Sequence, residues 1–384
     1  MQRYDYIITG AGCAGLSLLR SIMQRPFFNH KKILLIDKAA KNNNDRTWCF
    51  WEQQPGLFED IVYHRWQQID FYSDKFSARY DLIPYEYKMV RGIDLYETVL
   101  NEARQHVNIE IIYDDVLSIT NNDSYATVKT TNAEFTASYI FNSIIFGDWK
   151  QQALQQKNTH VLLQHFKGWM IETNKAFFDD SIATFMDFRI DQNKGTAFFY
   201  VLPVANNKAL IEYTLFSEKI LAQSEYDAAL EAYIETTLNI KKYTTTHTEF
   251  GIIPMTNYAF SKGEGSIINI GTAGNQTKGS SGYTFQFIQK HTAKIIEALV
   301  ENKTPLLKET ISEKRFHLYD SVLLNVLRNK KMNGDKLFAQ LFKKNTPQTI
   351  LKFLDNETNF KEELKIMNSV SLSAFLPAAL KEIF

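Results

Sequence analysis

Three features of this chain have the residue types and spacing for chemistry: a glycine cluster near the start, an acid that closes the second apolar run, and a glutamate in mid-chain. Gly10, Gly12, Ala14 and Gly15 lie in the run Gly10-Ala11-Gly12-Cys13-Ala14-Gly15. The apolar segment Tyr4-Asp5-Tyr6-Ile7-Ile8-Thr9 precedes it, and the helical pattern Leu16-Ser17-Leu18-Leu19-Arg20-Ser21-Ile22-Met23 follows. A second apolar run, 33–36, ends on Asp37. Strand, G-x-G-x-x-G, helix, strand and acid in that order form the pattern of a dinucleotide site. Gly10 and Gly12 let the backbone turn and approach a pyrophosphate. Gly15 lets the helix pack close, the helix N-terminus faces phosphate charge, and Asp37 can accept from a ribose hydroxyl. The same glycines would also suit a strand–helix–strand unit that uses them only for packing.

Glu212 lies in Ala209-Leu210-Ile211-Glu212-Tyr213-Thr214-Leu215-Phe216. Strand alternation puts it on one face with Leu210, Thr214 and Phe216. Two readings stay open on these residues alone. Glu212 is either a strand-edge glutamate in water or a carboxylic acid in an apolar pocket, where burial disfavours the charged form and keeps it protonated.

The elements that must position these groups alternate in type. After the first strand–helix–strand unit comes a polar stretch, then Arg46-Thr47-Trp48-Cys49-Phe50-Trp51, strands near 69–72 and 77–80, a helix ending near Gln105, and strands at 107–112 and 126–129. Residues 139–146 read as a buried strand. Between about 160 and 215 the pattern becomes a run of alternating or aromatic strands, the mark of an antiparallel sheet inserted into a nucleotide domain. Residues 224–238 read as a helix with Ser224 as N-cap. A strand at 266–270 then leads into Gly271-Thr272-Ala273-Gly274.

The expected fold is therefore α/β, a Rossmann-like domain from 1–155 and 250–300, with a substrate sheet and helix at 156–249. A helical region covers 301–384, where Phe316, Tyr319, Leu323 and Leu327, and Leu337, Phe338, Leu341 and Phe342, repeat at helical spacing. Those stripes either pack on the body or meet a membrane surface with Lys343 and Lys344 at the edge.

Lys and Arg together number 43, as do Asp and Glu, so bulk charge gives no reason to expect a nucleic-acid partner. Aromatic residues make up 14% of the chain, which suits a long apolar ligand or a large core. Cys13 and Cys49 offer no disulfide framework. The histidines lack H-x-x-x-H spacing, so no metal site is expected, and no G-x-S-x-G elbow is present. With no visible signal segment and no apolar run of about 20 residues, the expectation is a cytoplasmic protein that is at most peripheral on a membrane.

Seven blocks fall in one order along the chain. They are Asp45-Arg46-Thr47-Trp48-Cys49-Phe50-Trp51, Val90-Arg91-Gly92-Ile93-Asp94, Gly168-Trp169 with Glu172, Phe185-Met186-Asp187-Phe188-Arg189, Ile211-Glu212-Tyr213-Thr214, Ile253-Pro254-Met255, and Gly271 to Gly274 with Gly282-Tyr283. From about residue 4 to 292 the chain resembles the flavin-dependent lycopene β-cyclases, the bacterial branch more closely than the plant one.

The resemblance implies an isomerase that uses reduced FAD, with NADPH as reductant, and cyclises the acyclic ends of lycopene to β-ionone rings without net redox change. It implies Glu212 as the catalytic acid, and it implies flavin contacts at Gly10, Gly12, Ala14, Gly15, Asp37, Arg91, Gly271, Thr272, Ala273 and Gly274. Trp48, Phe50, Trp51, Trp169, Asp187 and Tyr283 are the expected pocket residues. Related flavoproteins commonly have Gly-Asp where this chain has Gly271-Thr272, and a proline where it has Gly279. Flavin monooxygenases usually carry Asp-Gly where it has Gly147-Asp148. The rival readings are a flavin monooxygenase or reductase acting on a prenyl or carotenoid lipid, and a non-catalytic carotenoid-binding flavoprotein.

Overall fold

The computed structural model describes residues 2–122 and 124–383. β1 (Gln2–Thr9), α1 (Cys13–Met23) and β2 (Ile33–Asp37) form the expected opening unit. β3 (Thr47–Glu52), β4 (His64–Trp66), β5 (Gln68–Ser73), β6 (Phe76–Asp81) and β7 (Glu86–Arg91) lead to α2 (Gly92–Ala103). β8 (Ile109–Tyr113), β9 (Val116–Asn121), β10 (Ala126–Thr130) and β11 (Glu134–Asn142) complete the first half. After α3 (Trp149–Gln155) come β12 (Val161–Glu172), β13 (Ile182–Asp187), β14 (Thr196–Ala205), β15 (Lys208–Ser217), α4 (Gln223–Ala232) and β16 (Thr244–Thr256). β17 (Gly263–Glu264) and β18 (Ile267–Asn269) precede α5 (Phe285–Val300) and five further helices: α6 (Ile311–Arg328), α7 (Gly334–Lys344), α8 (Pro347–Leu354), α9 (Phe360–Ser369) and α10 (Leu372–Ile383).

β1 pairs in parallel with both β2 and β11, Ile8 lying opposite Leu35 on one side and Phe141 on the other. Strands of this kind are covered on both faces. α1, α2 and α5 share a core with Ile8, Leu35 and Phe141 on one face, and β9 and β10 help to cover the other. The class is the expected mixed α/β.

The second sheet has the order β16-β12-β15-β14-β13-β5-β6. It takes β5 and β6 from residues 68–81, so it is not confined to 156–249. Alternation gives it two apolar faces. Ile211, Tyr213 and Leu215 pack against α4, whereas Leu210 and Phe216 face the third sheet and the C-terminal helices. That third sheet, β3-β7-β4, stands beside the second of these faces.

Several boundaries differ from the sequence reading. β11 ends at Asn142 because the Asn142 side chain bonds Ile144 through both its amide nitrogen, at 2.9 Å to the carbonyl, and its oxygen, at 3.0 Å from the N–H. α4 starts at Gln223, where Glu225 accepts from the Ala222 N–H at 2.8 Å, and it widens into a π-turn over Tyr233–Thr237. Of the two readings left open for the stripes of 316–327 and 337–342, packing on the body is the one observed. Phe316 and Leu337 have no exposed surface, Phe342 stacks on Phe71 at 4.4 Å, and Phe338 stacks on Phe188 at 5.6 Å. The sheet needs an apolar cover, and α6 and α7 supply it.

Candidate active site

Glu212 on β15 and Glu249 on β16 flank one residue of β12. Gly168 pairs in antiparallel register with Glu212 on one side and with Glu249 on the other. Residues opposite one another across strands share a face, so the two carboxyl groups point the same way. The middle position carries no side chain to separate them. A Cβ at Gly168 would lie 3.1 Å from Glu249 Cγ and 3.0 Å from Leu210 Cδ1.

The carboxyl groups are close enough to act on one another's protonation, and each also accepts from a threonine hydroxyl. Thr214 donates to Glu212 Oε1 at 2.8 Å and Thr47 to Glu249 Oε2 at 2.8 Å. Burial pushes both above the usual carboxylate range. The Glu249 charge raises Glu212 further, while Thr47, Glu212 and Arg46 act to lower Glu249. Two buried carboxyls in contact cannot both ionise cheaply. The pair therefore retains a proton near neutral pH, and Glu212, on which the Glu249 charge adds to burial, is the member that holds it more tightly.

Both open onto a cavity of about 600 Å³. Leu202, Leu210, Ile252, Ile253 and Pro254 line it along with the rings of Trp48, Tyr87, Phe166, Tyr200, Tyr283 and Phe285. Burial also pushes the Tyr87 and Tyr200 hydroxyls and the Cys49 thiol well up, so these groups stay neutral. Tyr200 and Tyr283 bring their hydroxyls to 3.4 Å. An aromatic space around one acidic proton is suited to generating a cation and stabilising it with ring faces.

Gly12, Cys13 and Ala14 line the same cavity. Gly12 is the N-cap of α1 and gives that helix no side-chain cap. A Cβ at Gly12 would have nothing within 4 Å. The space beside the helix N-terminus is open at the place where a pyrophosphate would approach. The second glycine turn meets the first, since a Cβ at Gly271, where φ is +63°, would stand 2.9 Å from Ala14 Cβ. Asp37 Oδ2 accepts from the Ala11 N–H at 2.6 Å and holds the loop in shape. These residues fit a dinucleotide.

The sequence profile described as lycopene cyclase protein matches residues 5–379. The chain belongs to the lycopene cyclase family. A relative from Pantoea ananas, lycopene beta-cyclase, is 25% identical over 230 residues, 58% of this chain and 54% of the relative, so the match spans about half the relative's length. Among solved structures, a geranylgeranyl bacteriochlorophyll reductase-like protein from Thermoplasma acidophilum superposes with a TM-score of 0.65 at 14% identity, covering 100% of this chain and 99% of that one. A flavoprotein/dehydrogenase from Cytophaga hutchinsonii gives 0.60 at 12% identity over 100% and 99%. These similarities are in fold.

In this lycopene cyclase family member, the cavity gathers Glu212, Gly12, Ala14, Gly271, Thr272, Trp48 and Tyr283. Gly10 and Gly15 shape the loop behind it, and Ala273 and Gly274, buried in the second turn, are not among its lining residues. Arg91 does not line the cavity: its guanidinium is held by Asp94 at 2.6 Å and lies over Tyr63 at 4.1 Å. Arg46 lines it instead.

Four expected pocket residues lie elsewhere. Phe50 is behind the wall, stacked on Phe285 at 4.1 Å, and Trp51 is one row deeper, edge-on to Tyr283 at 4.7 Å. Trp169 follows Gly168 on β12, so alternation sends it to the α4 face. Asp187 is fully buried, paired with Arg189 at 2.7 Å and accepting from the Tyr233 hydroxyl at 2.8 Å. Sequence reasoning missed Glu249, Arg46, Thr47 and Tyr200 as site residues. The one signal for Glu249 was its place just before the Ile253-Pro254-Met255 block.

Proposed function

We propose that this protein is a lycopene β-cyclase whose Glu212 protonates the acyclic end of the carotenoid, with reduced FAD bound at the two glycine turns. The observation that carries the reading is the shared cavity: the half-buried Glu212 carboxyl group, which its surroundings push toward the protonated form, opens onto the same space as the Gly12 loop. Glu212 holds the proton that the alkene needs, and Thr214 orients its carboxyl group. Trp48, Tyr87, Tyr200 and Tyr283 offer ring faces to a cation, at about 1 to 2 kcal/mol each when desolvated, and Leu202 and Leu210 give the polyene an apolar wall. When bound, reduced FAD supplies negative charge complementary to that cation. Gly12, Ala14, Gly271 and Thr272 would hold it, with Arg46 near its phosphates or ribityl chain and Asp37 near a ribose.

Flavin oxidoreductase chemistry is the competing reading, because the fold is shared with such proteins. Expression in cells that accumulate lycopene, followed by pigment analysis, should yield γ- and β-carotene. With purified protein, NADPH should reduce the flavin yet be consumed far below one equivalent per ring. One NADPH per product molecule would make the oxidoreductase reading correct.

Contact with a bilayer belongs to the same reading, since lycopene dissolves in lipid. No helix among the described residues is long and apolar enough to cross a membrane. Support for surface contact comes from α9 and α10: Leu372, Leu376, Leu380 and Ile383 form an exposed stripe at helical spacing, beside Phe360 and Leu364. Exposed Lys361, Lys365 and Lys381 on the same two helices suit anionic headgroups. The occupant proposed for this stripe is an anionic membrane surface.

A further inference from the structure

A cyclisation without net redox change takes up one proton and releases one, so the site needs an acceptor as well as an acid. We infer that Glu249 is the carboxylate that receives the proton shed on ring closure and returns it to Glu212. This rests on the cyclase reading above. Glu249 lines the cavity, is 3% exposed, and meets Glu212 across Gly168. Its Oε2 is held by the Thr47 hydroxyl, which leaves Oε1 for the shared proton.

The groups around the pair decide which member is anionic. Cys49 from β3, Tyr87 from β7, Tyr200 from β14 and Tyr283 ahead of α5 face it and are neutral. His247, two residues along β16, bonds Asn44 at 3.4 Å and is kept neutral by burial. Arg46 is the cation that bears on the pair. Its charge acts on Glu249, together with the smaller opposing effect of Asp45. Each carboxyl has a threonine donor, so it is the Arg46 charge, felt at Glu249, that favours carboxylate there and acid at Glu212.

The step balances on these two residues. The terminal alkene takes the Glu212 proton, its π pair forming the new C–H bond and leaving a tertiary cation. The neighbouring alkene gives its π pair to close the ring C–C bond, which moves the cation into the ring. The adjacent C–H bond then breaks, its electron pair becomes the ring double bond, and its proton passes to Glu249. Transfer from Glu249 to Glu212 restores the starting pair. No oxidant or reductant is consumed.

The test compares wild type, Glu249→Gln and Glu249→Asp, loaded with reduced FAD and given lycopene in liposomes, across pH. Wild type should show a bell-shaped profile and β rings. Glu249→Gln should lose about 100-fold in rate, lose the acidic limb, and place the remaining double bonds at other ring positions. Glu249→Asp should keep the β ring at reduced rate.

In the flavin-free protein, infrared spectroscopy should find a carboxylic C=O band at neutral pH. Asp355, also buried and raised, adds to this band, so the Glu212 part is read as the difference from Glu212→Gln, and Glu249→Gln should shift the titration of that part to lower pH. Unchanged β-ring output with both limbs intact in Glu249→Gln overturns the inference, as does absence of a band that Glu212→Gln diminishes. If the Glu212-dependent band is present but wild type leaves lycopene untouched, the carboxyl pair exists, the lycopene reading is wrong, and the acceptor role falls with it.

Discussion

Thr47 in β3 donates its hydroxyl to Glu249 Oε2 in β16 at 2.8 Å, tying the three-stranded sheet to the carboxyl pair of the seven-stranded one. The contact favours charge on Glu249. Thr47→Val keeps the shape and removes the donor, so Glu249 should bind its proton more tightly. The acidic limb of the activity profile should move to higher pH. Stability at neutral pH should fall by about 1 to 3 kcal/mol, the cost of an unpaired buried acceptor, read by denaturant unfolding. An unmoved limb would show that Glu249 does not set it.

Gly12 separates ligand binding from folding. Since a Cβ there meets nothing within 4 Å, Gly12→Val should fold with a melting temperature close to that of wild type. The branched side chain would occupy the approach to the N-terminus of α1, so FAD affinity should drop beyond detection at micromolar flavin. Retained FAD, measured by bound-flavin absorbance, would place the pyrophosphate elsewhere.

The opening unit was legible because its information is local: apolar runs, a glycine loop and a terminal acid lie within 37 residues. Glu212 was legible as a position on a strand face, and the seven motif blocks gave it a role. Glu249 was not, because Thr-Thr-Thr-His-Thr-Glu-Phe-Gly reads as a solvated strand, and only register across Gly168 turns it inward. Phe338 and Phe342 pose a different difficulty. A helix that covers a sheet and a helix that lies on a membrane need the same apolar stripe, and nothing within the helix says which surface it meets.

The stripe on α9 and α10 gives a sharper membrane test than the buried one. Protein should float with liposomes containing anionic lipid and less so with neutral ones. Leu376→Asp with Leu380→Asp changes two exposed side chains. It should abolish flotation with little change in melting temperature, since exposed substitutions usually stay within about 0.5 kcal/mol. Undiminished flotation of the double variant would rule out α10 as the contact.

Glu212→Gln tests the acid itself, by rate and by stability. The amide keeps the size of the carboxyl group and its place beside Thr214 but has no acidic proton, so FAD should still bind while ring formation falls by about 100-fold to 10,000-fold. Glu212→Asp should also lose activity, because withdrawing the carboxyl by one methylene misplaces the proton. Stability should move the other way. Burial and the Glu249 charge hold Glu212 above the ordinary carboxylate range, so the folded state keeps a proton that the unfolded chain releases first. Wild type therefore loses stability as pH rises from the ordinary carboxylate range through the raised value, and above that the loss is complete. Glu212→Gln lacks this titration. Its unfolding free energy should exceed that of wild type by an amount that grows over this window and then levels off, on the order of 1 to 3 kcal/mol, with the melting temperature following. A difference that is flat with pH would mean that Glu212 titrates normally, and a near wild-type cyclisation rate would mean that the proton comes from another group.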